Sequence, residues 1–226
     1  MCDKNSLFWA GENLNRSDFE NKRICEVGSY NVNGTFRSVV EKFNPCEYVG
    51  VDIENGPGVD VVCRAENLVQ KFGEEAFDVV ISTFVFEHIR NWQECLSNLK
   101  RICKRGGLII FAVPDNWPYH SFPGDYWRYG KDDIYNIFSD CEVQKVEELY
   151  KRRRGHSLIF SIVKKPSVFK EKDLSKYKLY SIMTNTRTDR INDLDFKTWR
   201  YLKLSTAFKI KNLILKAYGM VRAVFK

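Results

Sequence analysis

Two short stretches carry most of the residues able to move a proton. "FEHI" holds Glu87 and His88, and "YHSFPGD" holds His120 and, five residues on, Asp125. An imidazole with a carboxylate behind it is the usual arrangement for taking a proton from a hydroxyl nucleophile. His120 is the expected base, with Asp125 or Asp115 orienting it or standing in for it, and His88 is the alternative. His156 opens a late apolar run and reads as structural. A zinc site is not expected, because the three histidines lie far apart in the chain and none is near a cysteine pair.

A second group of residues has the chemistry of a nucleoside site. "ICEVGSYNVNG" runs an apolar stretch into Gly28, and "YVGVDI" ends on Asp52. Gly28 permits a tight turn and leaves room for a ligand against the backbone. A carboxylate at Asp52 accepts hydrogen bonds from both ribose hydroxyls. A dinucleotide fingerprint would need glycine at positions 30 and 33, where the chain has Tyr30 and Asn33. The pattern fits adenosine without a pyrophosphate and disfavours a nicotinamide-dependent oxidoreductase. After "VDVVC", the segment "CRAENL" could meet an adenine edge.

These residues need a scaffold that brings strand ends together. "RICEVG", "YVGVDI", "VDVVC", "FDVVIS" and "GLIIFAVP" are short, apolar and β-branched on successive residues, as strands covered on both faces are. Between them, "GTFRSVVEKF" and "NWQECLSNLKRICKRGG" have helical spacing, the second starting at Asn91 and stopping at Gly106. Alternating strands and helices predict a doubly wound, Rossmann-like α/β sheet whose ligand lies at the strands' carboxyl ends. A loop dense in aromatics follows, "PDNWPYHSFPGDYWRYG", then a short helix "KDDIYNIF" and two strands joined by a hairpin at "YKRRRG". In that loop Trp117, Tyr119, Tyr126, Trp127 and Arg128 suit a sugar face or another flat acceptor. From Pro166 the chain reads as polar and irregular until a final helix.

With these motifs in order, residues 22 to about 165 resemble the class I S-adenosylmethionine-dependent methyltransferases. The matching succession is "EVGSYNVNGTFR", "YVGVDIENGPGVDVV", "FDVVISTFVFEHI" and "LKRICKRGGLIIFAVP". The "EVGS…NG" and "GDYWRY" elements resemble a bacterial branch often associated with cell-surface glycan biosynthesis. The resemblance implies a seven-stranded sheet with an antiparallel last strand and S-adenosylmethionine as cofactor. It implies that Glu26, Gly28 and Ser29 border the methionine end, Asp52 and Ile53 the ribose, and Arg64, Ala65 and Glu66 the adenine, with Thr83 at the end of strand four also on the cofactor. One departure concerns adenine. The family commonly has Asp before Ala65, but Arg64 can only donate, which leaves Glu66 or the backbone to accept. The expected reaction is O-methylation of a sugar or glycan intermediate. A quinone-like lipid, a small metabolite, RNA, or a non-catalytic binding role are the alternatives.

The division expected is a helical lead-in over 1–21, a cofactor-binding domain over 22–166 and a C-terminal extension over 167–226. The chain carries a net charge of +7, but eight of its 36 lysines and arginines lie in residues 197–226, which contain no acid. From Phe208 on, Ile210, Leu213, Ile214, Tyr218, Met220, Val221, Val224 and Phe225 share one arc of a helix, with lysines and arginines opposite. Such a basic amphipathic helix suits an anionic membrane surface, or packs on the protein's own body or a second subunit. Nucleic acid is disfavoured because the rest of the chain is not basic. Seven scattered cysteines without a C-x-x-C pair, no secretory signal and no long apolar run predict reduced thiols and a cytoplasmic protein, peripheral to the inner membrane if the tail docks there.

Overall fold

The computed structural model describes residues 4–32, 34–151 and 155–224. Asn33, Arg152–Arg154 of the basic turn and the tail side chains from Ala217 onward therefore lie outside the description. The chain runs α1 (Lys4–Asn13), α2 (Arg16–Phe19), β1 (Arg23–Val27), α3 (Arg37–Val40), β2 (Glu47–Asp52), β3 (Val61–Val62), α4 (Leu68–Phe72), β4 (Phe77–Thr83), α5 (Trp92–Ile102) and β5 (Cys103–Pro114). It continues with β6 (Trp127–Arg128), α6 (Lys131–Ile137), β7 (Glu142–Lys151), β8 (His156–Lys164), β9 (Leu179–Ser181), β10 (Thr186–Thr188) and α7 (Trp199–Val224).

The apolar runs pair as a seven-stranded sheet in the order β3-β2-β1-β4-β5-β8-β7. Strands β1 to β5 are parallel to one another, and β8 is antiparallel to both β5 and β7. The residues of β1, β4 and β8 and the carboxyl half of β5 are mostly buried because both faces are covered. Trp9, Phe19, Phe36 and Val40 of the N-terminal helices and the α3 turn pack on one side, and Leu68, Trp92, Leu96, Leu99 and Phe138 on the other. This is the doubly wound arrangement that the strand and helix pattern predicts, with the seven strands and antiparallel strand that the methyltransferase resemblance implies. The order reverses between β1 and β4, so their carboxyl ends flank the crevice where ligands sit in open α/β sheets.

Three local expectations change. Helix α3 is only four residues long and tightens into a 3₁₀ turn over Glu41–Phe43. Helix α5 stops at Ile102, and not at Gly106. Lys165, 2% exposed at the end of β8, donates to the carbonyls of Lys100 (2.9 Å) and Cys103 (2.7 Å) and so caps it from a distance. Residues 104–107 then bulge, because the β4–β5 register jumps from Phe77↔Cys103 to Val79↔Leu108. Nor is the stretch after Pro166 merely irregular. β9 pairs with β6 of the aromatic loop and with β10, and Leu174, Leu179, Met183 and Ile191 enter the core shared with α5.

Cys25, Cys95 and Cys103 are buried free thiols, as expected of core cysteines, and burial pushes Cys103 up to about 12. Cys63 is half-buried because β3 is a short edge strand.

Candidate active site at the β1–β4 crevice

Strand β1 delivers Glu26 and Gly28. Gly28 has φ +84°, and a Cβ there would stand 1.9 Å from Val85 Cγ2. Glycine is therefore required twice, by conformation and by space. The space beside it is filled by Val85 and is not left for a ligand as the sequence suggested. The cause is Phe84, whose left-handed backbone (φ 57°) ends β4 and turns Val85 onto the glycine. A bulky residue in that region costs about 1 kcal/mol or more. Here Phe84 is held by its N–H on Ala112 O (2.7 Å) and by edge-on packing against Phe160.

The N–H groups of Gly28 and Ser29 both reach Val51 O, and Tyr30 N–H reaches Asp52 Oδ2 (3.0 Å). Tyr30 packs so closely on Gly56 that a Cβ at 56 would lie 2.3 Å from its ring. Where a dinucleotide fold keeps glycines open to phosphate, this turn is filled. Glu26 is buried and accepts from the hydroxyls of Thr35 and Tyr48, both at 2.9 Å. Burial, opposed by those bonds, holds its carboxyl above the usual range. Asp52 ends β2 and also accepts from Ile53 N–H, while the Ile53 side chain is exposed. The buried hydroxyls of Ser29 and Ser82 find no hydrogen-bond partner among the described residues. Thr83 is buried beside Ser82.

At the adenine end expected from the sequence, Arg64 turns outward and pairs with Glu66 (3.1 Å). Ala65 is buried, and Asn98 from α5 fixes this turn through the carbonyls of Ala65 (3.4 Å) and Glu66 (2.7 Å).

Beyond β4, a 3₁₀ turn over Phe86–His88 meets the aromatic loop. The His88 and His120 rings lie edge-on with centroids 5.0 Å apart, so residues distant in sequence become neighbours. Glu87 is 1% exposed, and its Oε1 is 3.7 Å from Nε2 of each histidine. His88 Nδ1 is 2.5 Å from Gly124 O; His120 Nδ1 is 3.0 Å from Pro118 O and 3.2 Å from Asp125. Burial lowers His88, and its neighbour His120 lowers it further against the pull of Glu87. Burial alone would lower His120 too, but Asp125 and Glu87 overcome it and hold the imidazole up at about 9. A group at that value is already protonated near neutral pH, so His120 is a poorer simple base than its sequence position implied. Glu87 is held below its usual range: burial would raise it, and the two histidines outweigh that.

Asp125 has no exposed side-chain surface. It makes a two-pronged pair with Arg128 (2.6 and 2.8 Å), accepts His120 N–H (2.7 Å) and is held down at about 2, burial being outweighed by Arg128 and His120. It orients the loop and cannot itself reach an acceptor. Arg128 also donates to the carbonyls of Trp117, Pro118 and Trp127, and Trp127 is fully buried with its indole N–H on Ile89 O. The expectation that Trp127 and Arg128 face an acceptor does not survive this burial. Trp117, Tyr119 and Tyr126 remain partly exposed. Trp117 packs on His156, Tyr126 meets Phe196, and Tyr119 meets Tyr201 and Phe208 of α7. Asp115 sits apart from this cluster, bonded to Ser157 and raised by burial.

A family model described as a methyltransferase domain matches residues 6–148, from within α1 into β7. The chain belongs to this methyltransferase family. Among solved structures, the fold is similar to the 1,6-didemethyltoxoflavin N1-methyltransferase of Burkholderia thailandensis, which was solved with 1,6-didemethyltoxoflavin and S-adenosylhomocysteine bound. That match has 12% identity and TM-score 0.58, over 73% of this chain and 80% of the other. An S-adenosylmethionine-dependent methyltransferase from Mesorhizobium loti is similar at 14% identity and TM-score 0.53, over 70% of this chain and 100% of that one. At such identities these structures establish the fold. A hybrid polyketide–nonribosomal peptide synthetase, poxE of Penicillium oxalicum, is 30% identical over 81 residues, which is 33% of this chain but only 2% of the synthetase. For the methyltransferase domain, the sequence reading missed the convergence of Glu87 with both histidines. "FEH" marked two of the three residues, but nothing in the chain's local pattern joins them to His120.

Proposed function

We propose that the protein transfers the methyl group of S-adenosylmethionine to a hydroxyl of a sugar or glycan intermediate. The observation that carries the cofactor is the filled first turn. Tyr30 on Gly56, with its N–H on Asp52, leaves an acid for a ribose and no cradle for a diphosphate. S-adenosylmethionine is the methyl donor. Asp52 accepts from its ribose with Ile53 alongside, Ala65 with Arg64 and Glu66 lines the adenine, and Glu26, Gly28, Ser29 and Thr83 border the methionine end.

Bound there, S-adenosylmethionine would supply an activated methyl group to the acceptor oxygen and leave as the neutral thioether, with the hydroxyl proton passing to water. Because the donor is already activated, the protein's work is alignment, exclusion of water and handling of that proton. The cluster of Glu87, His88 and His120 serves the acceptor end, Asp125 positions it, and Trp117, Tyr119 and Tyr126 flank the acceptor.

Helix α7 supports a site working at a membrane surface. Its Tyr201, Leu204 and Phe208 face the body, whereas Trp199, Leu202, Ile210, Leu213 and Ile214, on the opposite side at about 100° per residue, are 46–81% exposed. Exposed Lys209, Lys211 and Lys216 flank that outer stripe. No described helix is long and apolar enough to cross a bilayer, so the contact is peripheral.

Calorimetry with S-adenosylhomocysteine tests the cofactor: micromolar binding is expected, lost in Asp52→Ala. Absence of binding to the wild type refutes the reading. Labelled methyl transfer into extracted glycan intermediates, and not into protein or RNA, tests the acceptor.

A further inference from the structure

We infer that Glu87, His88 and His120 form a binding site for a zinc-like divalent transition-metal ion. One ligand atom from each residue lies within 4.8 Å of the others, and two imidazoles with a carboxylate are a common open-site ligand set. The spacing separates this from a hydrogen-bonded cluster. Glu87 Oε1 stands 3.7 Å from both Nε2 atoms, beyond hydrogen-bond reach. Ligands about 2.1 Å from a tetrahedral ion are about 3.4 Å apart, so both Glu87–histidine separations lie within a few tenths of an ångström of that spacing. The carboxylate also lacks what a buried carboxylate needs, since Oε2 finds no hydrogen-bond partner among the described residues.

The outer contacts are those of metal-bound histidines. Each ring turns Nδ1 to an acceptor, His88 to Gly124 O and His120 to Pro118 O and Asp125, which leaves each Nε2 on the side of Glu87, where an ion would displace the proton of His120. Arg128 in turn fixes Asp125. Such second partners set the tautomer and orientation of ligating imidazoles. His120 keeps about a quarter of its side chain exposed (26%), so one side of the site is open for a further ligand. The ion's use, to hold an acceptor hydroxyl and make it more acidic with its proton released to water, rests on the proposed methyl transfer. The ion's binding does not.

The test uses tag-free, chelator-treated full-length protein titrated with cobalt(II) and zinc(II). One equivalent of cobalt with visible d–d absorption, displaced by zinc, is expected. Glu87→Gln and His120→Gln should each weaken zinc at least tenfold while keeping the wild-type affinity for S-adenosylhomocysteine. Equal zinc binding in wild type and variants, or none in the wild type, overturns the site. Should the variants lose S-adenosylhomocysteine binding as well, anomalous diffraction from zinc-soaked wild-type crystals decides: a peak between the three side chains sustains the site and a peak elsewhere overturns it. S-adenosylhomocysteine bound without metal removes the metal site and leaves the methyl-donor reading; the converse does the reverse.

Discussion

Gly28 is constrained by a residue that comes 57 positions later in the chain, Val85, as well as by its own φ of +84°. Gly28→Ala should therefore cost about 1–3 kcal/mol and abolish S-adenosylhomocysteine binding. Placing it in a Val85→Ala background should recover part of the stability, because the clash goes and only the backbone cost remains; paired urea titrations measure this. Asp125 is the other telling residue. Asp125→Ala leaves Arg128 buried without its anion, and removing one partner of such a pair costs about 3–5 kcal/mol. At this scale the turn at Gly28 and the placing of Asp52 at a strand end were legible, since a glycine after one strand and an acid after the next are local signals. The acceptor end was not. His120 and His88 were each identified, but Glu87 bridging them and Asp125 spent on Arg128 are facts of packing.

Among the elements, distant polar contacts set where strands and helices stop. Lys100 in α5 and Asp140 after α6 form a pair whose side chains are 1% and 2% exposed. Lys100→Met should destabilise by about 3–5 kcal/mol by stranding Asp140, and adding Asp140→Leu should return much of it. At the amino-terminal end of the sheet, Asp78 of β4 accepts Arg23 N–H of β1 and Lys104 Nζ of β5, both at 2.9 Å. Burial would raise Asp78, but Lys104 and Arg23 outweigh it and hold it below the usual range. A carboxyl lowered on folding adds stability that is present above the unfolded range near about pH 4 and is lost as pH falls below it. Asp78→Asn should thus melt below wild type at pH 7, with the gap narrowing as pH falls below about 4. The strands themselves were readable from their apolar runs. The end of α5 was not, because its cap comes from Lys165.

For the whole molecule, α7 joins the candidate site to the outside. Its inner face touches Tyr119, and its outer apolar stripe is exposed. Replacing Ile210, Leu213 and Ile214 together with Glu should leave the melting temperature within about 2 °C of wild type, since exposed positions contribute little. Flotation with anionic vesicles should fall sharply, and neutral vesicles should bind neither protein. Equal flotation of both proteins on anionic vesicles rules out a membrane role for this face.

The sequence by itself determined the alternation of strands and helices, the turn at Gly28, the acid at Asp52 and the two-sided character of the tail, because each depends on residue type at fixed short spacing. Only the tertiary structure decided that Val85 fills the space beside Gly28, that Trp127 and Arg128 face inward, and that Glu87, His88 and His120 share one small volume. Those outcomes depend on which distant segments a twisted sheet brings together and on which polar groups burial leaves without water, and neither is written in any local run of residues.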